Sequence, residues 1–194
     1  KFMIPISTAI LIGGKNTRMG GYNKAFLEIG GQIILQRMVN VVRSFSDELI
    51  FVSNSNHVDY KLFNPDSIVS DIIPNRGPLS GFHAALMSCK NPYCFIFACD
   101  LPLLNPKLIE KQIQEISNDF DAIVPNHLNG IEPLHAIYSK QSCQPLENYL
   151  FSCSDNKILL FLNSVRTHFW SVDFDQSFVN LNSEEDIRNF KKLL

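Results

Sequence analysis

The chain contains no CxxC pair, and its cysteines number five: Cys89, Cys94, Cys99, Cys143 and Cys153. An odd count without paired spacing argues against both a disulfide framework and a zinc knuckle. Reduced thiols acting as small buried hydrophobes are expected instead, in a reducing compartment. Long apolar runs are missing as well. Nothing approaches the roughly 20 residues that cross a bilayer, and Met3 to Ile12 is broken by Pro5, Ser7 and Thr8 without a small-residue cleavage site. These absences predict a cytoplasmic protein with no membrane partner. Neither is there an excess of one charge: the net −2 over 194 residues gives no electrostatic reason for wholesale nucleic-acid binding. Any nucleotide this chain handles is therefore expected as a small molecule held in a local site.

What is present is ordinary globular composition, 45% hydrophobic and 19% charged. A chain of this length buries about two-thirds or more of its unfolded surface without staples, and residues 1–194 are expected to form a single domain. Repeats, low-complexity segments and dividing linkers are not found.

The apolar pattern alternates between two periods. Ser7 to Ile12 is short, β-branched and stopped by Gly13-Gly14, which predicts a buried strand. From Ile33 to Phe45 the apolar residues recur at three and four, the period of an amphipathic helix. Further strands are expected at Leu49 to Val52, at Ile68-Val69, at Tyr93 to Ala98 and at Ala122 to Val124. Helices are expected over Leu79 to Met87 and from Pro106, which suits a first helical turn, to Ile116. Strands alternating with helices imply right-handed crossovers and a mainly parallel sheet covered on both faces, an α/β fold. Near the C-terminus, Asn129-Gly130 is a turn joining strands around Pro125 and Leu134 to Tyr138. Two helical stretches follow, Val172 and Val179 to Leu181 are expected as edge strands, and Ser183 opens a last helix with an acidic first turn.

Six of the nine glycines fall in the first 31 residues, most of them in the cluster running from Gly13 to Lys24 directly after a predicted buried strand. Ligands of open parallel sheets bind at the carboxyl ends of strands, and glycines there let backbone N–H groups turn toward an anion. Arg18 and Lys24 would add positive charge for a triphosphate. Neither GxxxxGK[ST] nor GxGxxG occurs in this cluster, so a P-loop or a dinucleotide fold of the usual kind is not supported. Taken alone, the cluster is also consistent with a plain glycine turn carrying two solvated basic residues. Asp100 ends the predicted strand Tyr93 to Ala98 and faces the same rim. A carboxylate there can hold Mg²⁺, which takes hard oxygen ligands and bridges substrate phosphates, or it can simply cap a turn. Arg76-Gly77-Pro78-Leu79-Ser80-Gly81, preceded by Asp71, brings a helix entry to that rim or provides a close-packed turn. Asn180-Leu181-Asn182 would put two amides on one side of a strand.

Together these segments resemble the molybdenum cofactor guanylyltransferase family. The resemblance rests on Leu11-Ile12-Gly13-Gly14-Lys15-Asn16-Thr17-Arg18-Met19-Gly20, then Lys24, then Gly77-Pro78-Leu79-Ser80-Gly81, then Cys99-Asp100-Leu101-Pro102, and finally Val179-Asn180-Leu181-Asn182-Ser183. It implies a Rossmann-like nucleotidyltransferase fold, an enzyme using GTP and Mg²⁺, and the terminal phosphate of molybdopterin as acceptor. Proteins that deliver the cofactor or receive the product, molybdoenzymes among them, would be its partners. Carried over by position, the resemblance implies nucleotide contacts from Leu11, Ile12, Gly13, Gly14, Lys24, Asn54, Asp71 and Asp100. It implies acceptor contacts from Arg18, Gly77, Gly81, Asn180 and Asn182, a metal on Asp100, and catalysis by Arg18, Lys24 and Asp100. Three positions depart from the pattern: Ile12 replaces a smaller alanine, Asn23 an aspartate, and Glu132 a frequent glutamine. Two alternatives stay open. One is a CTP-dependent or sugar-phosphate nucleotidyltransferase of the same fold, against which Gly13-Gly14 and Leu101 speak. The other is a non-catalytic carrier that binds GTP or the cofactor.

Overall fold

The computed structural model describes residues 4–12, 18–19, 22–55, 58–153, 155–181 and 186. Its centre is β1 (Ile6–Leu11), buried at all six positions because it is covered on both faces and paired on both edges. On one edge β1 runs parallel to β2 (Glu48–Val52), which is parallel in turn to β3 (Ser67–Val69). On the other edge it runs parallel to β4 (Tyr93–Ala98). Beyond β4 the sheet becomes mixed. The strands β5 (Ala122–His127), β6 (Gly130–Ile131) and β7 (His135–Ser139) follow in the chain, but β7 inserts between β4 and β5 and is antiparallel to both. The short β6 pairs antiparallel with the end of β5, and β8 (Thr167–Ser171) lies parallel to β5 on its outer side. Pro125 sits where β5 changes partner from β7 to β6, a place where its missing N–H breaks no ladder.

Side chains alternate across β1 and so build two cores. Ile6 and Ile10 point to a face covered by α1 (Ile34–Val42), whose Ile34, Leu35, Met38 and Val42 are buried there, and by Ile109 of a later helix. Ala9 and Leu11 point to the opposite face, where α2 (Pro78–Ser88) contributes Leu79, Phe82, Ala85 and Leu86. The later helix, α3 (Pro106–Gln114), starts where Asn105 Oδ1 accepts the Lys107 N–H at 3.1 Å. The helices α4 (Cys143–Ser152) and α5 (Ile158–Leu162) join the second face through Leu146, Leu150, Phe161 and Leu162. None of the helices among the described residues is long and apolar enough to cross a membrane.

The expected alternation is borne out, with boundary shifts of a few residues, and the sheet is more mixed than expected. Two expectations fail: neither Val172 nor Val179 to Leu181 lies in a strand, and the edge strand is β8, which ends at Ser171. A single 3₁₀ turn, Gln176–Phe178, replaces the second expected strand, because side chains and backbone there bond to loops rather than to a ladder. The helix start at Ser183 lies outside the described residues.

At the amino end of the strands a buried carboxylate is fully satisfied. Glu48 accepts from Ser7 Oγ at 2.6 Å and from the Lys90 N–H at 2.8 Å, with Lys90 Nζ at 3.4 Å. His135 presents the opposite case. Its ring is enclosed by Phe95, Phe97 and Phe178, and burial holds its pKa down to about 4 from 6.5.

His135 therefore makes the fold acid-sensitive. Its folded value lies below its unfolded one, so the unfolded chain takes up the proton first as pH falls below 6.5, and stability is lost down to about 4. From pH 7.5 to pH 5 this group alone should remove about 2 kcal/mol of unfolding free energy. Urea melts at the two pH values should show that extra loss in the wild type and not in His135→Phe.

Candidate active site

The parallel strands β1 to β4 all end at one edge of the sheet, and the chain leaves each of them there. Ile12 N–H donates to Val52 O at 2.8 Å and Cys99 N–H donates to Leu11 O at 3.2 Å. Three strand ends are thereby tied together where Leu11 and Ile12 emerge. Gly13 and Gly14 lie outside the described residues, as does Asn182. Beyond them, Arg18–Met19 pairs antiparallel with Tyr22–Asn23, which sets the backbone of Arg18 in a short ribbon; its side chain falls outside the description. The ribbon leads directly into the 3₁₀ turn Lys24–Phe26.

Lys24 is only 2% exposed. An ammonium is seldom buried without a counter-charge, and Asp100 lies within reach of its field. Asp100 follows β4 by two residues, on the same edge. Its Oδ1 is buried and meets no hydrogen-bond donor among the described residues. Burial raises the Asp100 carboxyl above the usual carboxylate range, while the Lys24 charge and a backbone hydrogen bond pull it partly back. The neighbouring Cys99 thiol is pushed up to about 12, first by burial and then by the Asp100 charge, which leaves it inert.

An unpartnered hard oxygen beside a buried cation is a fitting ligand for Mg²⁺ bound with a polyphosphate. Among the described residues no group of three or more His, Cys, Asp or Glu side chains is assembled to hold a metal ion. Among the described residues the protein share of such a site would be Asp100, with phosphate oxygens and water completing the shell.

The remaining expected residues fall into three places. Asn54 and Asp71, just past β2 and β3, hold each other: Asn54 Nδ2 donates to Asp71 Oδ2 at 2.7 Å and Asp71 N–H donates to Asn54 Oδ1 at 2.9 Å. Gly77 takes φ 59°, a left-handed conformation that favours glycine, and it directs the chain into α2. Gly81 is buried one turn into α2, where a Cβ would meet Leu11 Cδ2 at 3.2 Å, so its space is used to let the helix approach β1. Asn180 is exposed, next to Leu181, whose N–H donates to Asp100 O at 3.0 Å.

Two contacts on this edge carry no local sequence signal. Arg76 Nη1 donates to Cys153 O at 3.0 Å, with Asn156 Oδ1 at 3.4 Å, and so pins the loop before α2. His127 Nε2 lies 3.0 Å from Glu132 Oε1 at the end of β5.

Comparison with known proteins places the chain in a family and matches its fold. The profile of the MobA-like NTP transferase domain matches residues 8–166. A probable molybdenum cofactor guanylyltransferase of Clostridium perfringens (strain 13 / Type A) is 37% identical over 157 residues, covering 81% of this chain and 77% of that protein. The molybdenum cofactor guanylyltransferase of Desulfosudis oleivorans is 35% identical over 192 residues, covering 95% and 94%. Among solved structures, molybdopterin-guanine dinucleotide biosynthesis protein A from Archaeoglobus fulgidus superposes with a TM-score of 0.77 at 25% identity, over 96% of this chain and 97% of that one.

Burial costs the Asp100 carboxylate more than Lys24 returns, and this has a measurable consequence. The folded value is raised, so the ionised group opposes folding at neutral pH, and the penalty disappears as pH falls below the unfolded carboxylate value. Asp100→Asn should raise the thermal midpoint of the ligand-free protein near pH 7.5, and the gain should shrink in scans near pH 4. A lower midpoint for the variant at pH 7.5 would contradict the electrostatic account.

Proposed function

Because the chain belongs to the MobA-like NTP transferases, and among them to the molybdenum cofactor guanylyltransferases, we propose that it transfers GMP from GTP to the terminal phosphate of molybdopterin carrying molybdenum. The products are the guanine dinucleotide cofactor and pyrophosphate. The observation that carries this reading is the buried Lys24 beside Asp100, whose Oδ1 meets no donor among the described residues, at the edge where β1 ends.

An oxygen of the acceptor phosphate attacks the α-phosphorus of GTP in line. The new P–O bond forms as the bond to the β-phosphate bridge breaks, and the electron pair leaves with pyrophosphate. The nucleophile is ionised near neutral pH, so no side chain need remove a proton. His135, the best enclosed histidine, stays neutral and packs against aromatic rings. The protein supplies positioning and charge. Lys24 and Arg18 offset the repulsion between the two anions, Asn54 and Asp71 hold the guanosine side, and Asn180 and Asn182 line the acceptor side. Asp100 would hold Mg²⁺, which contributes further positive charge on the phosphates. The same reading takes residues 1–194 as a single domain of a cytoplasmic enzyme, with cofactor-delivery proteins and receiving molybdoenzymes as its partners.

Pyrophosphate release with Mg²⁺ and molybdopterin, compared for GTP, CTP, ATP and UTP, tests the assignment. Release with GTP alone is expected; a preference for CTP would keep the chemistry and overturn the choice of nucleotide. GTP binding without pyrophosphate from any nucleotide, with an acceptor proved competent on a control enzyme, would favour the carrier alternative. Asp100→Ala should lower turnover by about two to three orders of magnitude, the effect of about 3–4 kcal/mol of lost charge stabilisation. Wild-type turnover in a folded Asp100→Ala protein would sink the role given to that carboxylate.

A further inference from the structure

One polar pair on the active edge has no part in the chemistry above. His127 ends β5 with its side chain 2% exposed. The Asn129 N–H donates to its Nδ1 at 3.2 Å, so Nδ1 carries no proton and Nε2 must be the protonated nitrogen. Nε2 then donates to Glu132 Oε1 at 3.0 Å. With both nitrogens engaged, the plane of the imidazole is fixed.

That plane stacks on Phe178, with centroids 5.0 Å apart and an interplanar angle of 5°. Phe178 also meets His135 edge-on at 5.2 Å. The segment around it is held on its other side by the loop that follows Asp100. Ser177 Oγ donates to Leu103 O at 3.1 Å and accepts from the Asn105 N–H at 2.6 Å, while Asn105 Nδ2 donates to Asp175 Oδ2 at 2.8 Å. Three residues after Phe178, the Leu181 N–H reaches Asp100 O at 3.0 Å. Residues 175–181 thus form a strap between the β5–β6 hairpin and the Asp100 loop, with exposed Asn180 between its two anchored residues, Phe178 and Leu181.

We propose that Glu132 is a positioning residue for the acceptor: through His127 and Phe178 it holds the strap so that Asn180 faces the acceptor beside Asp100. This rests on the reading of Asn180 as an acceptor contact. It also accounts for the departure at this position. The bond to His127 requires only an acceptor oxygen, which the glutamine frequent in the family provides as well as a carboxylate does. Loss of that acceptor would leave a buried N–H unsatisfied and release the ring from its plane.

The test compares Glu132→Gln, Glu132→Leu and Phe178→Leu with the wild type. Steady-state pyrophosphate release gives kcat and the KM for molybdopterin and for GTP, and hydrogen exchange is followed over residues 178–181 of the intact protein without ligands. Glu132→Leu should raise the molybdopterin KM about tenfold, the effect of one lost buried hydrogen bond, with the GTP KM within about twofold and faster exchange at Leu181. Glu132→Gln should match the wild type, and Phe178→Leu, which keeps an apolar side chain, should reproduce the Glu132→Leu pattern even if the latter fails to fold. An unchanged molybdopterin KM, an equal rise in both KM values, or equal impairment in Glu132→Gln would overturn the proposal. Should the wild type show no guanylyl transfer, the functional reading fails by itself. Exchange then decides the strap: faster exchange in the leucine variants supports it, and unchanged exchange overturns it.

Discussion

Burial of β1 on both faces and both edges is the constraint from which the rest follows. Every backbone polar group of this strand must be met by β2 or β4, and every side chain must be covered by a helix. The chain can leave it only at the carboxyl edge, between Val52 and Cys99, both already bonded to Leu11-Ile12. Ile12 itself therefore emerges beside the strand end that leads to Asp100. Gly81 serves the same constraint from below, since a larger residue there would push α2 away from Leu11.

The sheet carries a carboxylate at each end, Glu48 buried and Asp100 half-buried, and the two differ in how they are satisfied. Glu48 has a hydroxyl, a backbone N–H and an ammonium around it, as expected of a group whose role ends with stability. Asp100 has an oxygen without any donor among the described residues, and its charge is opposed by desolvation that Lys24 offsets only in part. Perturbed carboxylates of this kind concentrate at functional sites. Burial is matched by partners at Glu48 and, among the described residues, is not matched at Asp100 Oδ1.

The mixed half of the sheet has a separate use. Insertion of antiparallel β7 between β4 and β5 sets His135 against Phe97, and the hairpin that precedes it carries Glu132 to the active edge. The aromatic group of His127, His135, Phe174 and Phe178 then forms a surface on which the strap 175–181 can rest. The parallel half ends beside Asn54, Asp71 and Asp100, and the antiparallel half holds the segment carrying Asn180. That segment is tied to the Asp100 loop by the Leu181 N–H on Asp100 O and by the bonds among Ser177, Leu103, Asn105 and Asp175.

By itself the sequence determined the type and order of most elements, because burial imposes a local period. Continuous apolar runs mark strands covered on both faces, recurrence at three and four marks helices with one buried stripe, and Gly13, Gly77 and Pro106 mark their ends. It also placed Lys24 and Asp100 beside strand ends, where an open parallel sheet binds ligands. Only the tertiary structure decided what depends on partners distant in the chain. Val179 to Leu181 alternates like a strand, yet the Val179 N–H closes a turn on Gln176 O and the Leu181 N–H goes to Asp100 O, which no local pattern encodes. Gly81 reads as part of a binding motif, but the space it leaves is taken by Leu11. Glu132 reads as a conservative departure until His127 and Phe178 are brought to it. Periodicity reports how a residue faces its own element; which foreign side chain meets it is set by how the elements cross, and that is settled only when the whole core packs.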